Sequence, residues 1–300
     1  MIHAEPTQHF YDSQRLRLAY WTWGDPANPP CICLHGGRDH SRSWDRIATA
    51  LSDSYYVVAP DLRGHGDSQW AVGGEYGTSQ NVVDFLTLID RFDGPVRVLA
   101  HSFGGHVTFL AAGAYPERFH SIIAIEGRLA GTPQPQRLSP QSLRELVHAR
   151  RDLETRLPRV YPDLAAATLR VSEQNPRLTP QTAHHIAEHA VRQVPSNGSD
   201  GQPGFVWKFD NWSRPGVRLE DVSLEEAKLF FAQLDRPLLY IVGGESGAKR
   251  NTQDAVRYFP NARALVVPGA GHWVHHDEPA LVIRTAREFF AQDPASPGPI

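Results

Sequence analysis

The sequence predicts an α/β fold in which short buried strands alternate with helices, and three observations carry that prediction. Apolar runs of strand length recur at Pro30–Leu34, Tyr55–Pro60, Pro95–Leu99, Pro237–Val242 and Ala264–Val267. They are too short for helices and lack polar alternation, as parallel strands covered on both faces do. Between them apolar residues return at helical spacing, as at Trp44, Ile47, Ala48 and Leu51, and again at Val82, Phe85, Leu86 and Ile89. One stretch, Val98-Leu99-Ala100-His101-Ser102-Phe103-Gly104-Gly105, joins the two patterns through a serine among small residues. With 300 residues and 41% hydrophobic content, one large core carrying an insertion fits better than two domains.

That serine stretch reads as a nucleophile elbow. A serine on a tight strand-to-helix turn needs small neighbours two positions either side, and Ala100 and Gly104 supply them. Ala100 stands where the G-x-S-x-G pattern has its first glycine, which keeps the steric condition while departing from the motif. The helix that must follow is present in Val107, Leu110, Ala111 and Ala114.

Leu16–Trp23 alternates as a strand and ends at the turn Gly24-Asp25-Pro26. Pro30–Leu34 runs into His35-Gly36-Gly37, where small residues let backbone N–H groups approach a reacting oxygen. The amides of Gly37 and Phe103 are therefore the candidate oxyanion donors. Asp61–Ser68 is a polar loop with two glycines. Ser121–Glu126 is a further strand with an acidic residue at its carboxyl end, the edge where ligands gather in open α/β sheets.

From about residue 128 to 235 the strand–helix alternation stops. Ser139-Pro140 and Thr179-Pro180 each place a capping residue before a first-turn proline, and Ser223–Glu226 is a capping box, so this region reads as helical. The loop Pro195–Gly201 interrupts it, and Phe205, Trp207, Phe209 and Trp212 are candidate pocket aromatics. His185-Ile186-Ala187-Glu188-His189 fits an H-x-x-E-H metal pattern, but the apolar stripe Ala183, Ile186, Ala187, Ala190 and Val191 turns those three polar residues to the opposite, solvated face. No metal is expected.

Composition excludes several classes. A net charge of −3 with interspersed signs makes no electrostatic case for nucleic acid or an anionic membrane. No apolar stretch approaches the roughly 20 residues of a membrane span, and Met1–Pro6 lacks the features of a signal peptide, so a cytoplasmic protein is expected. Cys31 and Cys33 share one face of one strand and read as buried reduced thiols. The chain is compatible with a homodimer, and its partner is expected to be a small-molecule substrate.

Four motifs in order, Leu34-His35-Gly36-Gly37, Asp61–Ser68, Ala100–Gly105 and Gly269-Ala270-Gly271-His272, resemble those of the α/β-hydrolase fold family. The resemblance implies a mostly parallel eight-stranded sheet flanked by helices, with a helical cap inserted after strand 6. It places the core at 1–127 and 236–292, the cap at 128–235, and leaves 293–300 as a disordered tail. It also singles out His272 among fifteen histidines, on the loop after the last strand, as the base for Ser102.

The family's usual acid position, after the strand ending at Val242, is occupied here by Ser246. Two acids remain: Glu126, favoured because haloalkane dehalogenases and similar coelenterazine luciferases carry a glutamate after the corresponding strand, and Glu245 as the alternative. Gly36, Trp207 and Trp273 are assigned to substrate binding. A serine nucleophile cannot replace the aspartate of dehalogenases, so acyl chemistry on an ester, thioester or lactone leads, with no cofactor implied. Carbon–carbon bond hydrolysis or other cofactor-independent chemistry with the same triad, or a non-catalytic ligand receptor on the same fold, are the alternatives.

Overall fold

In the computed structural model, residues 5–129, 139–195, 203–213, 222–247 and 256–292 are described; the expected tail at 293–300 lies outside them. Eight strands form one sheet in the order β1-β2-β4-β3-β5-β6-β9-β10. They are β1 (Thr7–Ser13), β2 (Leu16–Trp23), β3 (Pro30–Leu34), β4 (Tyr56–Pro60), β5 (Val96–His101), β6 (Phe119–Ile125), β9 (Leu238–Gly243) and β10 (Ala262–Val267). β1 and β2 pair antiparallel with their neighbours, and the remaining pairings are parallel.

The continuous apolar runs follow from burial on both faces. Along β3, Cys31 and Cys33 face one helical layer and Ile32 and Leu34 the other, all fully buried. On the first side lie α1 (Asp45–Leu51) and the C-terminal α8 (Pro279–Phe290), contributing Ile47, Leu51, Val282 and Phe289. On the second lie α2 (Thr78–Ile89), α3 (Phe103–Ala114) and α7 (Leu224–Phe231), contributing Phe85, Leu88, Val107, Phe109 and Phe231. Each fully buried side chain of this size stabilises the fold by about 2 kcal/mol. The two cysteines are free thiols, as expected.

β1 has no counterpart among the strands read from the sequence. Its hairpin turn is Gln14-Arg15, with φ of +47° and +68°, a turn whose usual residues are Asn and Gly. Gln14 offsets the strain by donating from its side-chain amide to the Gln80 carbonyl and to Asp84 Oδ1, both at 2.8 Å. Tertiary contacts hold a turn that the local sequence does not announce.

Between β6 and β9 run α4 (Pro140–Thr155), α5 (Leu164–Gln174), α6 (Pro180–Ala190), a hairpin of β7 (Val191–Val194) and β8 (Gly204–Trp207), and α7. Ser139, Thr179 and Ser223 cap α4, α6 and α7 through their side chains, as the sequence predicts. α5 and α6 close over a small core of their own, built on Tyr161, Ala167, Val171, Ala183 and Ala187. The hairpin is new, since four-residue strands are too short to show a period of two. α7 departs from the expected cap: Phe231 packs edge-on to Phe109 at 5.7 Å and is fully buried in the main core, so this helix lies on the sheet side. The segment after β8 docks on the loop after β4, where Lys208 pairs with Asp67 at 2.7 Å and Trp70 donates to the Lys208 carbonyl at 2.9 Å. Among the described residues no helix is long and apolar enough to cross a membrane.

Candidate active site

β5 delivers Ser102 to the carboxyl edge of the sheet, and α3 begins at the next residue. Ser102 adopts φ +50° and ψ −111°, a left-handed conformation that costs a non-glycine residue about 1–3 kcal/mol. The surroundings hold it there: Ser102 N donates to the Ile125 carbonyl at 3.0 Å, and its own carbonyl accepts from His106 N at 3.2 Å and Arg128 N at 3.0 Å. Two glycines let the His35-Gly36-Gly37 turn press against this elbow. A Cβ on Gly104 would stand 2.5 Å from the His35 carbonyl oxygen and 2.6 Å from that of Leu34. One on Gly36 would lie 3.2 Å from Ser102 Cβ and 2.9 Å from His101 Nδ1. Because Gly104 meets backbone, Gly104→Ala is expected to cost about 3 kcal/mol or more in urea unfolding; a wild-type midpoint would show that the elbow is not packed this way.

The amides of Gly37 and Phe103 hold no hydrogen bond among the described residues. Phe103 N is the first amide of α3, where the helix supplies no acceptor. Gly37 is exposed, and space beside its Cα is open. The turn is tied from behind by His35, whose Nδ1–H donates to the Gly36 carbonyl at 2.6 Å while Nε2 accepts from Leu62 N at 3.0 Å.

Glu126 follows β6 at φ +52°, a second left-handed residue beside the first. Its side chain is 0% exposed. Oε1 accepts from Gly243 N at 2.8 Å, and Oε2 accepts from Ser246 Oγ at 2.8 Å and lies 3.3 Å from His272 Nδ1. Ser246, standing at the usual acid position, thus binds the carboxylate instead of supplying one. Glu245 is exposed, and its side chain makes no hydrogen bond among the described residues.

His272 is 40% exposed and directs Nδ1 to Glu126. Its loop is anchored by a second histidine: buried His101 donates from Nε2 to the His272 carbonyl at 3.0 Å. Burial, reinforced by the neighbouring His272, pushes the His101 imidazole well below its ordinary pKa, so it stays neutral. No local signal could reveal this role, because the partner lies 171 positions away.

A cavity of about 460 Å³ opens beside this edge. Gly37 and Trp273 line it, together with Trp70, Trp207, Phe209 and Tyr161. Of the residues assigned to substrate binding, Trp207 and Trp273 line the cavity. Gly36 does not; it is buried beneath, against Ser102. Phe205 packs into the small core of α5 and α6, and Trp212 lies under Arg150 at 5.1 Å.

The family model described as "Alpha/beta hydrolase family" matches residues 31–285. The chain belongs to the α/β-hydrolase family. A 3-hydroxybutyrate-oligomer hydrolase of Cupriavidus necator is 28% identical, the alignment covering 91% of this chain and 92% of that one. Esterase YbfF of Escherichia coli is 26% identical over 87% of this chain and 93% of its own. Among solved structures, the thioesterase domain from the curacin biosynthetic pathway superposes with a TM-score of 0.82 at 22% identity, covering 95% of this chain and all of that domain. This α/β-hydrolase is therefore an enzyme, with a hydrolase and an esterase among its sequence relatives.

Two side-chain clusters in this α/β-hydrolase were not legible in its sequence. His185 and His189 of α6 do not sit on a solvated face. They are half-buried against the start of α1, where His185 Nε2 lies 3.1 Å from Asp45 Oδ2, itself held by Arg42 at 2.7 Å. The expectation failed because helical periodicity sees one helix, and the surface that covers it comes from residues 42–45. The second cluster brings together Asp39, His101 and His275.

Proposed function

We infer that this enzyme is a serine hydrolase of small carboxylic esters, thioesters or lactones, working through an acyl-enzyme. The observation that carries the reading is the buried Glu126 carboxylate, fixed by Gly243 and Ser246 and turned on His272 Nδ1. A carboxylate so placed holds the imidazole in the tautomer whose Nε2 is basic and stabilises the imidazolium that forms during reaction.

In this reading Ser102 Oγ attacks the substrate carbonyl as His272 Nε2 takes its proton. The developing oxyanion binds the Gly37 and Phe103 amides, donors that are already in place and need no reorganisation. Collapse breaks the carbon–oxygen or carbon–sulfur bond, and His272 returns the proton to the departing group. Water, deprotonated by His272, then releases the acid and restores Ser102. Trp207 and Trp273 contact the substrate from the cavity wall. The core is assigned to 1–127 and 236–292 together with α7, and the cap to the residues from 128 up to α7.

A fluorophosphonate probe followed by mass spectrometry tests the nucleophile, with p-nitrophenyl esters of graded chain length assayed in parallel. A single adduct on Ser102, absent from Ser102→Ala, together with ester turnover is the expected result. An adduct elsewhere, or turnover that survives in Ser102→Ala, would overturn the reading.

A further inference from the structure

The cavity beside the elbow is strongly cationic. Arg38, Arg156, Arg159 and Arg170 line it, while Asp39 is the sole acidic lining residue. The chain as a whole carries a net charge of −3, so this concentration of guanidinium groups is not the background of a basic protein. Its charge is also little compensated. Arg170 pairs with Glu173 at 3.0 Å, a contact exposed on both sides, and Arg159 lies over the Tyr161 ring at 5.0 Å. The side chains of Arg38 and Arg156 make no ion pair or hydrogen bond among the described residues. Asp39 neutralises them weakly, because burial raises its carboxyl pKa to about 7.

The placement relative to the chemistry is directional. Gly37 and Trp273 adjoin the elbow side, Gly37 next to the Gly36 that abuts Ser102 and Trp273 with its ring 5.2 Å from that of His272. Arg156 and Arg159 come from the segment between α4 and α5, on the cap side. A substrate that reaches from Ser102 past Gly37 and Trp273 into this cavity therefore meets the guanidinium groups of the cap segment. Arginine suits this task, since its planar fork binds carboxylate and phosphate oxygens two at a time and keeps its charge at every working pH.

We propose that the substrate carries an anionic group, a carboxylate or a phosphate, at the end remote from the scissile bond, and that Arg156 and Arg159, with Arg170, bind it. This rests on the ester-hydrolase reading for the position of the scissile bond, while anion binding itself can be measured without turnover.

The test uses the full chain carrying Ser102→Ala, so that no ester is consumed, and reads tryptophan fluorescence from the cavity residues Trp70, Trp207 and Trp273. Three length-matched probes are titrated: monomethyl adipate, dimethyl adipate, and methyl 5-phosphonopentanoate. Either anionic probe is expected to bind about tenfold more tightly than the neutral diester at 50 mM NaCl, the summed effect of several partly exposed charge pairs. The tighter of the two anions identifies the carboxylate or the phosphate as the native group. The preference should shrink at 500 mM NaCl, because exposed charges are screened. The double variant Arg156→Gln/Arg159→Gln should lose most of it, and the corresponding lysine pair should regain part.

Equal binding of all three probes, or a preference untouched by the arginine substitutions, would overturn the proposal. In wild-type protein the same esters separate the two readings. Hydrolysis without anionic preference leaves the ester-hydrolase reading standing and removes the anion site. Anionic preference in binding with no hydrolysis does the reverse.

Discussion

Glu126→Gln is expected to lower kcat by about 10³–10⁴, the loss seen when a triad carboxylate becomes an amide elsewhere, whereas Glu245→Gln should leave it within about twofold of wild type, the usual result for an exposed surface change. The substituted amide keeps the shape of the glutamate and can still accept from Gly243 N through its oxygen. Its NH₂ group, however, then faces Ser246 Oγ and His272 Nδ1, two positions where the carboxylate accepts. A donor there forces His272 to turn its proton to Nε2, the nitrogen that must receive one from Ser102. Steady-state assays on a p-nitrophenyl ester check this, with thermal unfolding to verify that the variant is folded. Comparable losses from both substitutions would refute a single positioned acid, and a loss confined to Glu245→Gln would transfer the role.

A steep loss of stability below about pH 6.5, the ordinary imidazole pKa, is the second large effect. His35, His40, His101, His106 and His275 are buried, and burial is the first cause that lowers each of their pKa values, to about 3 for His35 and about 4 for His106. Above that pH both folded and unfolded chains hold these rings neutral, and stability does not depend on them. Below it the unfolded chain takes up protons that the folded one refuses until the pH nears the lowered values. Asp39 and Asp61 work the other way, since burial raises their pKa values to about 7 and about 6 and the folded state binds their protons first. They offset two of the five histidines. The remainder costs about 4 kcal/mol per pH unit, enough to exhaust a typical reserve of about 5–15 kcal/mol within a few units. Circular dichroism melts from pH 8 to pH 4.5 should show the thermal midpoint falling once the pH passes below that of free imidazole. A flat midpoint down to pH 5 would mean that these rings are solvated or paired with acids.

The residues that the two effects involve differ in how far they could be read in advance. The parallel strands were legible because burial on both faces leaves an unbroken apolar run, and Ser102 because a strained elbow tolerates only small neighbours. Helix starts at Ser139, Thr179 and Ser223 were legible because capping is a contact between residues three apart. β1 was not, because Gln14 and Arg15 take left-handed conformations that distant Gln80 and Asp84 stabilise. The polar loop after β4 likewise hid its purpose: Arg63 forms a buried ion pair with Asp84 at 2.6 Å, and Asp61 accepts from Ser41 N and Asp67 N.

The α/β layering and the elbow at Ser102 could be read from the chain because each depends on side-chain size, periodicity or turn chemistry within a short window, and the resemblance of Gly269-Ala270-Gly271-His272 to the family's motif pointed to His272. The tertiary structure alone decided that Glu126 and not Glu245 meets His272, that His101 anchors the histidine loop, that α7 packs on the sheet side, and that four arginines line the cavity that Gly37 and Trp273 also line. Those relations join residues far apart in the chain, and only packing across the sheet edge sets the distances that give them chemical meaning.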